Sequence, residues 1–423
     1  MTSTRPPFDE IDISSEEFWA QSPDHRDKAF AVLRQERPVS WHRPLAGGMV
    51  EPTCTGFWAV VRHEDIVTVS RNPRVFSSAA ENGGVGLADV PPDTLKAMVS
   101  ILVMDDPEHL RQRKLISSVF TPRRVAMIEG QIRAQARRIV ADLASDRTGA
   151  ADFVDAVSKR LPMWTISEML GVPEQLREVV AENGNTIAGC ADDEYQDGRS
   201  PMEVIFDAIL VQRELMTELM AARRAEPRDD LITELVHAEI EGERLTDDEL
   251  HAFLLLLCLA GNDTTRHTTS LTMKALTDFP DQRALLLADL PGRLPAAVDE
   301  FLRWSSTVQM FSRTVLEDVE LNGRPIAAGD RVVVFYPSGN RDEEVFTDPH
   351  RFDVTRTPNP HIAFGGGGPH YCLGSHLART QLHAIFTELL TRLPDLRAGE
   401  PEFVVGNAIR GVKRMPCTFT PTG

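Results

Sequence analysis

Between Thr246 and Asp278 the sequence writes one very long helix, and a chain that contains it has to be built around it. Thr246 and Glu249 form a T-x-x-E capping box, with Asp247 and Asp248 in the first turn, where the helix N-terminus favours carboxylates. The apolar run Ala252 to Ala260 follows, and the pattern stops near Asp278, just before Pro280. About 30 residues at 1.5 Å each make a rod about 45 Å long. A helix this apolar at its centre belongs in the middle of a domain. The apolar run is too short to cross a bilayer, which takes roughly 20 residues.

Helical spacing of apolar residues recurs over 124–145, about 157–171, 203–223 and 376–393. Strand-like runs are fewer: Phe57 to Val61, Arg331 to Tyr336, and a small hairpin after residue 400. The pattern predicts a mainly α fold with small β-sheets. No linker or repeat interrupts it, so a single domain over 1–423 is expected.

Composition narrows the function. The 45 basic and 63 acidic residues leave a formal charge of −18, which argues against nucleic acid as a partner. Hydrophobic residues are 42% and charged residues 26%, the globular range. The first dozen residues show no apolar signal region, so a cytoplasmic protein is expected.

Five cysteines stand far apart: Cys54, Cys190, Cys258, Cys372 and Cys417. No CxxC pair exists, which speaks against a paired-cysteine zinc site, and the odd count speaks against a disulfide framework. Cys258 sits two residues before Ala260 on the long helix and reads as packing; Cys54, Cys190 and Cys417 have no assigned chemistry. Cys372 differs. It follows four consecutive glycines, Gly365 to Gly368, and precedes a helical pattern. The phosphate-loop pattern fails, because no Gly-Lys-Ser/Thr follows, and G-x-G-x-x-G fails at His370. What remains is either a glycine-rich turn with an incidental cysteine or a thiolate held at a helix mouth by backbone N–H groups, with glycines that let a flat ligand approach.

The segment Phe364-Gly365 … His370-Tyr371-Cys372-Leu373-Gly374 resembles the cysteine loop of the cytochrome P-450 superfamily, the haem-thiolate monooxygenases. Phe364 lies eight residues before Cys372 where the family has seven, so the loop is one residue longer. That longer form resembles an actinobacterial branch acting on sterol side chains and methyl-branched or isoprenoid lipids. Other stretches match in order. Glu300 and Arg303, spaced i, i+3, with Arg351 as third member, match the family's Glu-Arg-Arg network, whose implied role is to hold the cysteine loop in shape. Ala260-Gly261-Asn262-Asp263-Thr264-Thr265 matches its oxygen-activation motif; a Gly, an Asp and two Thr are otherwise costly in a helix centre. His109, Arg113, Arg313 and His370 match its propionate donors.

The resemblance implies the cytochrome P-450 fold, with haem b between the long helix and the cysteine-loop helix and Cys372 as the thiolate axial ligand. Phe364, Gly365 and Gly374 would shape the cofactor's seat. Leu256, Leu257, Ala260, Gly261 and Thr264 share a helical face that would lie over the haem, with Gly261 leaving room for dioxygen. Asp263 would relay protons and Thr264 would hydrogen-bond the activated oxygen. The implied reaction is hydroxylation of a hydrophobic substrate with dioxygen. A secondary-metabolite hydroxylase or epoxidase is the alternative, and a peroxide-driven peroxygenase is disfavoured by the intact Asp263-Thr264 pair. The substrate pocket would be lined from the 82–104 loop, the 185–206 region, residues 307–311 and the turn at Asn407 to Ile409. Val103, Leu256, Leu257, Ala260, Val308, Met310 and Ile409 are the candidate lining residues. No flavin or nicotinamide fingerprint follows Cys372, so electrons are expected from a separate ferredoxin and ferredoxin reductase. Arg111, Lys114, Arg123 and Arg124 would form the basic docking patch. A monomer is expected.

Overall fold

A computed structural model describes residues 5–45, 54–87, 99–117, 120, 122–189, 193–196, 198–404 and 406–422. Ten of its helices position the site: α1 Pro23–Glu36, α2 His63–Arg71, α3 Glu108–Ser117, α4 Pro122–Ala144, α5 Arg160–Leu170, α6 Arg177–Gly189, α7 Pro201–Ala225, α8 Asp247–Asp278, α9 Leu290–Ser305 and α10 Ser375–Arg392. The long helix predicted from the capping box is α8, 32 residues, with Thr246 and Glu249 bonding each other's backbone N–H reciprocally at 3.2 and 2.8 Å.

The hydroxyl-rich second half of α8 stays helical because its hydroxyls bond back one turn. Thr264, Thr268 and Thr269 each donate to the carbonyl four residues earlier at 2.8 Å. Helices α5, α6, α7, α9 and α10 all pack on α8. Together with α4 they enclose the largest apolar core, which runs from Ile101 to Phe419.

The main sheet has the order β1 (Val39–His42), β2 (Phe57–Val60), β5 (Arg331–Phe335), β4 (Met310–Val315), β3 (Phe76–Ser77). Only β2 and β5 pair in parallel. Both faces are buried, so alternate residues feed different cores. Trp58, Val60, Val332, Val334 and Val315 point to one, Phe57, Ala59, Val333, Phe335 and Met310 to the other. The hairpin expected after residue 400 is present, with Glu402–Phe403 antiparallel to Val412–Arg414.

Candidate active site

The cysteine loop lies on α2. Gly368 has φ +75, and a Cβ there would strike the Ser70 carbonyl, so the turn needs glycine twice over. The Cys372 N–H donates to the Phe364 carbonyl at 3.0 Å, closing the loop, and α10 starts three residues later. Phe364 is clamped from outside by Arg379, whose Cζ lies 4.6 Å from the ring and whose Nε bonds Asp299 at 2.9 Å. Cys372 is enclosed by protein yet keeps accessible surface, which places its sulfur on an internal cleft. Burial pushes its thiol up, while the Gly374 N–H and the charges of Arg113 and Arg379 pull the other way. Burial wins, so the loop alone does not make the thiolate that the helix-mouth argument anticipates; a bound metal deprotonates a coordinating thiol outright.

Beside the cysteine, four basic side chains converge from three elements. His109 and Arg113 come from α3, Arg313 from β4 and His370 from the loop. The two imidazoles lie 4.4 Å apart, and each buried Nε2 has no partner. Burial, with like charge from Arg113, lowers the pKa of His109; burial, Arg313, His109 and Arg113 lower that of His370 to about 3. Arg113 donates to the Tyr371 carbonyl at 2.6 Å and Arg313 to the Ser312 carbonyl at 2.7 Å. These contacts leave both imidazole Nε2 atoms unsatisfied. Two carboxylates would complete the set and draw protons back onto the rings, which is the chemistry of a porphyrin's propionates.

The middle of the largely buried helix α8 carries an accessible strip. Ala260 is exposed and Leu256, Leu257, Gly261 and Thr264 are half-buried, while Phe253 to Leu255, Cys258, Asn262 and Asp263 are buried. These residues share the helical face expected from their spacing, while Leu259, also half-buried, packs with Ile187, Ala208 and Leu255. Asp263 points off that face. Burial raises its pKa to about 6, and Arg266 at 3.8 Å opposes this. Arg266 and Asn262 both reach Asn185 of α6, at 2.9 and 3.3 Å.

Comparison with known proteins agrees with this geometry. The cytochrome P450 family model matches residues 199–394. The methyl-branched lipid omega-hydroxylase of Mycobacterium tuberculosis is 39% identical over 418 residues, covering 98% of this chain and 96% of that protein. The chain belongs to the cytochrome P450 family. The steroid C26-monooxygenase of Mycolicibacterium smegmatis is 39% identical over 396 residues, 93% of this chain and 90% of that protein. A Mycobacterium marinum cytochrome P450 in complex with pseudoionone superposes with a TM-score of 0.94 at 49% identity, covering 99% of this chain and 100% of the other. Cytochromes P450 are haem-thiolate monooxygenases with a cysteine axial ligand, and the donor set around Cys372 fits that cofactor.

Within this cytochrome P450 three sequence expectations need correction. Glu300 and Arg303 are fully buried and bond bidentately at 2.7 and 2.8 Å, but the second cation on Glu300 is Arg356, at 3.2 Å. Arg351 is exposed and lends Arg303 only its carbonyl, at 3.1 Å. The chain turns between residues 351 and 356, which brings the later arginine inward. Met310 faces away from the site. It pairs with Phe335 and packs with Phe57 and Val333, whereas Arg313 is on the opposite parity of β4, the side of Phe311. Gly261 serves packing: a Cβ there would meet Ile166 Cδ1 of α5 at 2.6 Å, so the glycine lets α5 and α8 approach.

The other expected positions fall as follows. Val308 and Ile409 form an isolated β-bridge, both half-buried. Thr307, beside Val308, meets the Thr268 hydroxyl at 2.8 Å, which ties this wall to α8. Val103 is buried in the turn Ile101–Val103 that leads to α3. Gly365 has φ +98. Cys258 is packed in the main core and accepts from Gln212 Nε2 at 3.2 Å, with its thiol pushed up to about 12 by burial. Cys54 is half-buried and Cys417 buried; Cys190 lies outside the described residues, as do parts of the 82–104 and 185–206 segments. Arg356, Asn185 and Arg266 had no sequence signal, since each acts through a neighbour supplied by folding.

Proposed function

We propose that this cytochrome P450 hydroxylates a methyl-branched, isoprenoid or sterol lipid, with Cys372 as axial ligand and a separate ferredoxin as electron donor. The observation that carries the reading is the open apolar face of α8, Leu256, Leu257 and Ala260, in a chain 39% identical over nearly its whole length to a lipid hydroxylase. The bound cofactor supplies dioxygen activation, and the protein supplies the rest. His109, Arg113, Arg313 and His370 neutralise the cofactor's carboxylates. Val308, Ile409 and the α8 face exclude water and orient a hydrophobic chain. Thr264 presents a hydroxyl to the cleft. Asp263 exchanges a proton with Thr264's side of the helix, with Asn185, Asn262 and Arg266 setting its position.

For the donor, Leu110 and Tyr371 are exposed apolar side chains flanking Arg113 next to the cysteine loop, and Lys114 is exposed beside them. Arg111 is half-buried and spends its charge on Glu249 at the start of α8. The side chains of Arg123 and Arg124 lie outside the described residues.

The test is a binding screen of sterols, isoprenoid ketones and methyl-branched acyl chains, read as the haem spin-state shift, followed by turnover with a ferredoxin and its reductase. At least one class should shift the spin state and yield a hydroxylated product. A flat response to all three classes would remove the lipid reading, and equal turnover on peroxide alone would remove the ferredoxin.

A further inference from the structure

Two buried guanidinium groups and one half-buried one gather behind the wall that carries Val308 and Ile409, in a chain whose overall charge is strongly negative. Arg26, on the first turn of α1, is 9% exposed and donates to Gln309 Oε1 at 3.0 Å. Arg341 is 4% exposed; it holds the Arg303 and Trp304 carbonyls at 3.2 and 3.0 Å, and its Nε has no hydrogen-bond partner. The carboxylate facing it, Asp27, is 3.8 Å from that Nε. Arg410 is the least satisfied. Its side chain makes no hydrogen bond or ion pair among the described residues, its Nε is buried, and its Cζ rests 5.8 Å from the Phe403 ring. Asp27 and the exposed Asp24 act on it from beyond ion-pairing distance. Burial depresses all three groups, with Arg410 adding to it at Arg26, which falls to about 10, and Arg303 and Arg410 adding to it at Arg341, which falls to about 9. A charge buried without a partner is among the costliest arrangements a fold can hold, and a ligand of opposite charge removes the cost.

The position connects this cluster to the substrate wall. Arg410 directly follows Ile409, and its N–H donates to the Thr307 carbonyl at 2.8 Å, across the bridge that joins Ile409 to Val308. Gln309, which receives Arg26, bonds the same turn through its amide nitrogens to Ala408 and Gly406, at 2.8 and 2.9 Å. Arg410 is crowded by protein and half-buried, with its Nε enclosed and the rest of its side chain keeping accessible surface that a ligand can reach. A guanidinium there offers paired N–H donors, the geometry that binds a carboxylate in two parallel bonds.

We propose that Arg410, flanked by Arg26 and Arg341, is an anion site at the far side of the pocket wall that takes the carboxylate of an acyl-chain substrate. Holding that end leaves the other end of the chain for the α8 face, so the site sets which carbon is oxidised. The inference rests on the lipid-hydroxylase reading above. The test uses the haem-loaded enzyme and two probes, 15-methylhexadecanoic acid and its methyl ester, titrated by spin-state shift. The acid should bind at least tenfold more tightly than the ester. Arg410→Gln should bring the acid to the ester's affinity and leave the ester within twofold, and Arg410→Lys should recover part of the preference. Equal binding of acid and ester by the wild type, which needs no variant, would overturn the anchor while leaving the lipid reading intact. So would a preference that survives Arg410→Gln. If the two probes bind alike while sodium acetate raises the melting temperature of the wild type and not of Arg410→Gln, the site takes a free small anion and the anchor is wrong. If neither probe shifts the spin state, the anchor fails, while the lipid reading is decided separately by the sterol and isoprenoid arms of the screen.

Discussion

Asp263 keeps its proton to about pH 6 because burial penalises the carboxylate more than Arg266 at 3.8 Å rewards it. An unfolded chain releases the same proton near 3.8. Between those values the folded state holds a proton that the unfolded state has lost, so stability falls as pH rises through the window and levels off above about 6. The shift corresponds to about 3 kcal/mol at most. Asp263→Asn has no proton to lose. The unfolding free energy of the wild type relative to this variant should therefore drop by about 1–3 kcal/mol between pH 4 and pH 6.5. A pH-independent difference would show a carboxylate ionised throughout, and such a group could not return a proton near neutrality. The residue next to it, Thr264, was legible by motif alone. The reason Asp263 titrates was not, because it depends on how deeply folding buries the carboxylate.

At the scale of elements, two substitutions separate packing from charge. Gly261→Ala should push α5 off α8, since Ile166 Cδ1 stands 2.6 Å from where the methyl would sit. A cost of about 1–3 kcal/mol is expected, with part recovered by Ile166→Val, which shortens the obstructing side chain. An unchanged melting temperature would mean that Ile166 yields freely. On Glu300, Arg356→Ala should cost about 3 kcal/mol, because it strips a buried carboxylate of one partner, while Arg351→Ala should stay within about 0.5 kcal/mol. Equal effects in chemical denaturation would restore Arg351 to the network. These cases also show what the sequence could say. The length and start of α8 were readable because a capping box and a proline bound it. The identity of the second cation on Glu300 was not, since two arginines five residues apart in an irregular turn carry no periodicity. The parity of Met310 was unreadable for a related reason. Both faces of β4 are buried, so the alternation of polar and apolar residues that normally reveals a strand's inward side is missing.

Over the whole molecule, a formal charge of −18 coexists with arginines gathered where anions are needed. On the proposed reading Arg113 and Arg313 would meet the cofactor's carboxylates, and Arg26, Arg341 and Arg410 the substrate's. Other arginines are paired with carboxylates of the chain, Arg111 with Glu249 and Arg34 with Glu343 among them. Near the cysteine loop Lys114 is an exposed positive charge on α3 and Arg71 another on α2. An acidic ferredoxin approaching an acidic protein would be repelled at long range and guided only locally. Lys114→Glu should then raise the ferredoxin concentration for half-maximal turnover about threefold to tenfold at low ionic strength. It should leave saturated turnover and the substrate spin-state shift unchanged. Because the interaction is electrostatic and exposed, the difference should shrink as salt rises past about 0.15 M, where the screening length is about 8 Å. A variant indistinguishable from wild type at low salt would place the donor's contact elsewhere.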